Sequence, residues 1–462
     1  MMNRQHHPRL LSLALALTLL VALLAFVARA ASAQGTTADS TIRLTLGEAV
    51  RLASRQNASV ESARFRVEAA QARVTQRRAD LLPSLSLSAT QRGSTLNSAA
   101  AFPIDFPTPP GQEPLFAPGG SILGPLNVFE ARARVSQTVL DPGAFIRLRG
   151  ARTSAEAANA DVGNVSDIAA TNAANAYLMV LRADAVYGAR LADSTLASDL
   201  LTIAQQQLSA GTGVALDVTR ARSQLTGART QLIVARNDRN RTRVELARAV
   251  GLPLVNLVLA DSLAALPVST QAAEAAALTN AMQGRRDLRS VGLQAQAARQ
   301  QAAAIRSEWL PTIGVFADEG QAKRMGRSSL PTYDWGVQLS FPVFDGFRRE
   351  GRVEEQVAAA RDLETRERDL RTQVEADVRI AVLNLTSSAE AVSAARERLG
   401  LAEQEVSQAR ERFQAGVAGN ADVITAALTL NTARTQYVDA LASYQAARVA
   451  LARAQGSIGT LE

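Results

Sequence analysis

The chain has 462 residues, a formal charge of +7 and no cysteine, and its only histidines are His6 and His7. Disulfides, thiolate zinc sites and cysteine nucleophiles are excluded, and removal of an amino-terminal leader would also exclude imidazole metal sites and every His-based dyad or triad. Aromatics make up only 4%, while alanine, glutamine, leucine and arginine recur in long proline-free runs, which points to long helices packed through small side chains rather than to a compact enzyme.

Residues 1–33 have the order of a secretory signal peptide. Arg4 and Arg9 precede an uncharged apolar stretch from Leu10 to Ala28, and Ala31-Ser32-Ala33 supplies small residues for cleavage before Gln34. An uncleaved membrane anchor is the other reading of this stretch. Cleavage removes three arginines and no acid, taking the formal charge to +4, and leaves no cysteine for lipid attachment. Beyond residue 33 no uncharged apolar run reaches the ~18 residues of a spanning helix, so any further crossing has to be made by a closed β-barrel. The basic charge does not point to nucleic acid, because the arginines are interleaved with glutamates at helical spacing, as in Arg361, Glu364 and Arg368.

A tandem duplication organises the rest: residues 34–250 form a first repeat, 251–271 a linker and 272–462 a second repeat. Ala228-Arg229-Thr230-Gln231 returns as Ala433-Arg434-Thr435-Gln436, and Leu246-Ala247-Arg248-Ala249 as Leu451-Ala452-Arg453-Ala454, both at an offset of 205. Leu82-Pro83 returns as Leu310-Pro311 at an offset of 228, and Val139-Leu140-Asp141 as Val343-Phe344-Asp345 at 204, so the first repeat carries an insertion between residues 83 and 139. Pro103, Pro107, Pro109, Pro110, Pro114, Pro118 and Pro125 lie in it, and it reads as a long loop over 91–127.

Strands are expected at about 84–92 and 128–140, then at 311–318 and 333–344. Ser84, Ser86 and Ser88 alternate with Leu85 and Leu87, and Tyr333, Trp335, Val337 and Leu339 alternate with Asp334, Gly336, Gln338 and Ser340. One polar and one apolar face suit a membrane barrel with a wet interior, and Trp309, Tyr333 and Trp335 stand at strand starts, where an interfacial girdle would sit. A soluble sandwich sheet shows the same alternation and stays open. Four strands cannot enclose a lumen, so a barrel would need several chains. Helical segments follow each strand pair. From Val378, large residues recur at a strict spacing of seven through Leu385, Val392, Leu399, Val406 and Phe413, with small residues three positions later, as in a close-packed coiled coil. The first repeat keeps this pattern with polar lapses at Arg190 and Ser194. A helix from about 144 to 209 would be on the order of 100 Å long, too long for a globular domain.

These residues resemble the TolC-like outer-membrane factors, the exit ducts of tripartite efflux pumps and type I secretion systems. The resemblance runs from Leu46-Gly47-Glu48-Ala49 to Gly456. Its marks are the duplicated Leu-Pro before a strand, the Val-Phe-Asp-Gly turn at 343–346, and an Ala-Gly-x5-Asp-Val hairpin tip at 210–218 and again at 415–423. The resemblance implies a mainly α fold with β structure and tandem-duplicated long α-helical hairpins: a homotrimer in which each chain gives four strands to a 12-stranded transmembrane β-barrel and its hairpins to a periplasmic α-barrel. It implies outer-membrane lipid around the barrel, a periplasmic adaptor (membrane fusion protein) and an inner-membrane pump as partners, no nucleic acid, and neither covalent chemistry, cofactor nor metal.

The resemblance also places the entrance, closed at rest, at hairpin tips near 211–217 and 416–422. Gly211, Thr212, Gly213, Gly416, Val417, Ala418 and Gly419 would meet the adaptor. Asp422 matches the family's entrance aspartate, so three copies would form a cation-attracting ring. The acid one turn later in the best-known members is Thr425 here. The family's tip arginine falls on Ala418 and its hydrogen-bonding tyrosine on Phe413, whereas its partner aspartate is kept as Asp217. Asp217 and Asp422 have a second reading as caps of the helices after the tip glycines. Two other classes remain: a periplasmic coiled-coil adaptor, which usually has one hairpin flanked by glycine-rich β domains, and a hydrolase using an acidic pair such as Glu354 and Glu355, which here lies among solvated helix charges.

Overall fold

Local caps set where the first helices begin. Thr45 accepts from the Glu48 amide at 3.2 Å while the Glu48 carboxylate accepts from the Thr45 amide at 2.9 Å, a reciprocal box that opens α1, Leu46–Gln56. Asn57 caps α2, Ala58–Ala79, through the Ser59 amide. Asp141 caps α3, Pro142–Ser209, through the Ala144 amide, and Pro142 takes the first helical position, where a missing N–H costs nothing. The other helices are α4 Ala215–Val250, α5 Glu274–Gly284, α6 Arg286–Arg306, α7 Arg348–Gln414 and α8 Asn420–Ala454. The structure, a computed structural model, describes residues 42–97, 121–253, 257–263, 274–324, 328–417 and 419–461. The leader, residues 98–120 of the proline-rich insertion, residues 254–256 and 264–273 around the linker, and Ala418 lie outside the described residues.

With 68 and 67 residues, α3 and α7 are each ~100 Å long. Against the amino-terminal half of α3 lie α2, through Arg66 and Asp161, and α6, through Ser290 and the Ala157 carbonyl. Against its other half lie α4, through Arg243 and Asp184, and α8, through Arg434 and Asp193. With α7 packed along α6 and then α8, the wall is four helices wide throughout. Val378, Leu385, Val392, Val406 and Phe413 of the seven-residue pattern are buried: Val378 packs with Ala277 and Ala281 of α5, Val406 with Ala426, Leu430 and Ala433 of α8, and Phe413 with Leu200 of α3 and Val423 of α8. The polar lapse at Arg190 has a physical reason: its guanidinium bonds Asn431 and Thr435 of α8 and also Asp193, whose other oxygen accepts from Arg434 at 2.9 Å. In the amino-terminal half of α3, burial pushes the Asp167 carboxyl above its ordinary pKa, against the pull of Arg286 and Arg453.

Two short strands, β1 Ile42–Leu44 and β4 Leu257–Leu259, pair in parallel and fasten the segment after α4 to the residues just before α1. The Tyr177 hydroxyl, with one proton to share, lies 2.9 Å from the Leu44 carbonyl and 2.8 Å from the Asp261 carboxylate, which also accepts from the Leu46 amide. Burial, then the Asp261 carboxylate, raises the pKa of that hydroxyl.

The main sheet has strands β2 Ser84–Asn97, β3 Ile122–Leu140, β5 Thr312–Arg324 and β6 Leu330–Ser340, antiparallel in the order β2-β3-β5-β6. Pro125, expected in a loop, lies inside β3. It is accommodated at a bulge, where pairing jumps from Ser94 opposite Leu126 to Leu96 opposite Leu123, so no ladder bond asks for its missing N–H. Gly124 beside it has φ 125°, and a Cβ there would meet the Ser94 carbonyl at 2.9 Å. β6 stops at Ser340, four residues before the alternation does, because Arg349 takes over the segment that follows.

Arg349 is 3% exposed and joins sheet to helix. It donates to Asp345 at 2.8 Å and to the carbonyls of Glu308 and Pro342, each at 3.1 Å, with its guanidinium 3.9 Å over the Trp309 ring. Replacing Arg349 with alanine leaves a half-buried carboxylate and two carbonyls without their donor, at a cost of about 3 kcal/mol. The midpoint of thermal unfolding in detergent should fall clearly, and Arg349→Lys, which keeps the charge but not the fork, should recover only part; an unchanged midpoint for the alanine variant would remove the junction role.

Candidate functional site

Both hairpin tips end their first helix in the same way. Gly211 and Gly416 take φ values of 77° and 71°, a left-handed conformation that a side chain would strain. Each donates to the carbonyl three residues back, Leu208 or Phe413, while the next residue, Thr212 or Val417, donates to Gln207 or Arg412. This double closure satisfies the last carbonyls of α3 and α7. The N-cap positions of α4 and α8 are Val214 and Gly419, neither with a side-chain cap bond. Asp217 and Asp422 sit in the first turn, three residues beyond those caps, where a carboxylate suits the helix dipole but no capping bond is made among the described residues. Asp422 is exposed and Asp217 half-buried. The Thr425 hydroxyl donates back to the Ala421 carbonyl at 2.9 Å, so it is occupied within its own helix.

The two tips are held together by residues that the sequence pattern does not single out. Gln207 donates to the Phe413 carbonyl at 2.8 Å, and Asn420, 1% exposed, donates to the Asp217 carbonyl at 2.9 Å. The Phe413 ring packs with Leu200 and Val423 in a small apolar cluster. Where the resemblance has a tyrosine hydroxyl, this protein therefore has packing, and its cross-hairpin polar contacts run through backbone carbonyls. The only sequence signal for Asn420 is its place directly after a tip glycine; Gln207 has none.

The sheet register separates two faces. Leu85, Val135, Ala317 and Trp335 stand in one row, with Leu87, Ala133, Glu319 and Tyr333 in the next, and Leu87 and Tyr333 are 79% and 80% exposed. The other face carries Ser86, Arg134, Asp318 and Asp334 in a row, flanked by Ser84, Ser136, Phe316 and Gly336. Across it Arg132 bonds Asp318 at 2.6 Å and Arg134 lies 4.8 Å over Phe316. Trp309 does not join Tyr333 and Trp335: it lies in the turn before β5, at the helical end of the sheet, whereas Trp335 sits midway along β6 and Tyr333 two residues further from the helices. Among the described residues no three His, Cys, Asp or Glu side chains converge to hold a metal, and no helix is long and apolar enough to cross a membrane.

A mainly helical chain with paired hairpins on an exposed, two-faced sheet has the fold of the outer-membrane channels. The model of the outer membrane efflux protein family matches residues 49–252 and 277–457, and the chain belongs to that family. It is 27% identical over 250 residues to the alkaline protease secretion protein AprF of Pseudomonas aeruginosa, a match covering 52% of this chain and about half, 51%, of that relative. In solved structures the fold is similar to that of VceC from Vibrio cholerae (TM-score 0.71, 18% identity, 89% of this chain and 96% of that one). It is likewise similar to the CmeC channel of Campylobacter jejuni (TM-score 0.72, 16% identity, 90% and 87%). The protein is one of the outer membrane, with its helical part in the periplasm.

Removing the Gln207 and Asn420 amides should loosen the tips by about 1 kcal/mol each. In Gln207→Ala and Asn420→Ala, hydrogen–deuterium exchange should quicken severalfold around 206–214 and 411–423 and stay unchanged around Tyr177; unchanged exchange at the tips would show that packing alone holds them.

Proposed function

We propose that three copies of the chain form one exit duct, a passive conduit whose barrel spans the outer membrane and whose helix tips gate its periplasmic entrance. The open-edged sheet carries this reading. β2 and β6 each lack a hydrogen-bonded neighbour on one side among the described residues, while the face bearing Leu85, Leu87, Tyr333 and Trp335 is exposed. In hydrocarbon every backbone N–H and C=O needs a partner within the protein, so a spanning sheet has to close, and four strands are too few to enclose a lumen. Joining β6 of one copy to β2 of the next, three times, gives 12 strands with the serine and arginine face inward. From Thr312, where β5 begins just after the Trp309 turn, to Glu319, the partner of Tyr333, is about seven residues, roughly 23 Å along a strand. At a tilt of ~40° this is about 18 Å, within the roughly 25 Å height of the lipid-facing band of such barrels, so Trp309 and Tyr333 lie at different levels of that band with outer-membrane lipid around them.

The duplicated hairpins then continue the duct as a periplasmic α-barrel. Gly211, Thr212, Gly416 and Val417 are exposed at its end, where a periplasmic adaptor carrying the inner-membrane pump would dock. Likeness to a protein named for alkaline protease secretion supports a type I secretion setting, and the family's description as efflux proteins supports a tripartite pump. A free-standing periplasmic adaptor is the weaker reading, since it gives no use to the exposed apolar sheet face. Three Asp422 carboxylates brought near a threefold axis would repel one another, attract cations and make the entrance open to block by multivalent cations.

The cysteine-free chain makes the shared barrel testable by disulfide trapping. Chains carrying Ser86→Cys together with Asp334→Cys, Gly336→Cys or Gln338→Cys should yield covalent dimers and trimers on oxidation for at least one pairing; monomers throughout would remove the shared barrel. In planar bilayers under a salt gradient, Asp422→Ala should move the reversal potential towards zero by lowering the cation preference severalfold. An unchanged potential would leave Asp422 only its place in the first helical turn.

A further inference from the structure

The side of the helical wall that continues the polar sheet face carries more guanidinium groups than carboxylates. A hollow of about 990 Å³ is walled by α2 and α6 and floored by Gly150, Ala151 and Ser154 of α3. Through Arg77, Arg147 and Gln301 it runs into a second hollow of about 870 Å³ that reaches Ser84, Ser136 and Phe316 on the polar sheet face. The two hollows therefore lie on one side of the molecule, the lumen side in the proposed duct, and the inference rests on that reading.

The charges in these hollows can be paired off. Arg66 meets Asp161 at 3.4 Å, Arg77 meets Asp80 at 3.6 Å, Arg147 meets Asp141 at 2.7 Å and Arg352 meets Glu308 at 2.8 Å. No other acid lines either hollow, and two further arginines, Arg73 and Arg134, have no carboxylate partner among the described residues. Both are exposed. Arg134 rests over Phe316, which engages the flat face of the guanidinium without cancelling its charge and suits an acceptor at the edge. The side-chain amides of Gln294 and Gln301 add neutral donors beside them.

We infer that this stretch of the duct is an anion subsite for passing solutes that carry clustered carboxylates or phosphates, with Arg73 and Arg134 as its binding groups. Guanidinium donates two N–H bonds at once to such groups, and charges lining a cleft with low-dielectric walls act more strongly than charges on an open surface. Three copies around one lumen favour multivalent anions. The subsite is far from the entrance: about 60 residues of α3, roughly 90 Å, separate Arg147 from the tip. That is many screening lengths at about 0.1 M salt, so the Asp422 carboxylates at the entrance and this subsite act independently.

The test uses the full-length protein in planar bilayers at about 0.1 M salt, with tripolyphosphate or citrate added to one side at a time. Block from the barrel side at lower concentration than from the tip side is expected for tripolyphosphate. A similar result with citrate extends the subsite to carboxylates. The double variant R73Q/R134Q should raise the half-blocking concentration roughly tenfold, as loss of charge-assisted bonds predicts, and R73K/R134K should restore most of it. Calorimetric titration of tripolyphosphate into the detergent-solubilised protein should show the same order. Block of equal strength from both sides, or undiminished in R73Q/R134Q, overturns the subsite while leaving the duct. Absence of any channel current both in the wild type and in Gln207→Ala/Asn420→Ala, whose tips are loosened, overturns the duct and the subsite with it.

Discussion

An open sheet edge exposes a row of backbone donors and acceptors, and in a bilayer only protein can satisfy them. Here that constraint meets a sheet of four strands with one face given to Leu85, Leu87, Tyr333 and Trp335 and the other to serines, arginines and aspartates. Its two outer strands come one from each half of the chain, β2 from the first and β6 from the second, and so do its two central strands, β3 and β5, which pair across the halves. The sheet thus joins the halves of the chain and leaves two like edges for neighbouring copies. Arg349 then couples this sheet to α7, binding the carbonyls at both ends of the β5–β6 unit.

The helical wall solves a different problem, that of holding very long helices in register. Alanine at the contact positions lets axes approach closely, but a smooth alanine stripe fixes register only weakly, since one turn resembles the next. Polar side chains at such positions break the degeneracy, because sliding by a turn strands a charge. The cluster of Arg190, Asp193, Arg434, Asn431 and Thr435 has this character, with one aspartate taken by two guanidiniums from different helices. Arg182 with Asp439, and Arg243 with Asp184, repeat the device along the same helix.

How much of this was legible in the sequence depended on range. Periodic features were readable, the seven-residue spacing from Val378 and the alternation about Leu85 and Tyr333, because each is a local consequence of geometry, and the Ala-Gly-x5-Asp-Val pattern marked both tips, though not the backbone conformation of their glycines. Pro125 misled for a local reason too, since a proline excludes a paired strand position but not a bulge. The β1–β4 pairing was not legible, three residues being too few to show any period. Nor were Gln207 and Asn420, whose partners lie 206 and 203 residues away and are backbone carbonyls, which no side-chain pattern reports. Arg190 was visible only as a flaw in a pattern, and its meaning needed the neighbouring helix.

The tip contacts allow the work of opening the proposed duct to be bounded. Drawing the first hairpin away from the second within one copy exposes Phe413 and Leu200, at ~2 kcal/mol each, and breaks two amide-to-carbonyl bonds at ~1 kcal/mol each. The total, about 6 kcal/mol, is a population of roughly one open copy in 10⁴. A docking partner that opens this end therefore has to bind the open tip more tightly than the closed one by a comparable factor; affinity shared equally between the two forms would move nothing. The exposed Val214, Leu216 and Val417 stand beside these contacts and are the groups best placed to supply that difference, because their apolar surface can be covered by a partner only as far as the hairpins present it. A tip closed mainly by packing also responds differently from one closed by charge: screening by salt leaves the Phe413 cluster untouched, while loss of side-chain volume there weakens closure directly.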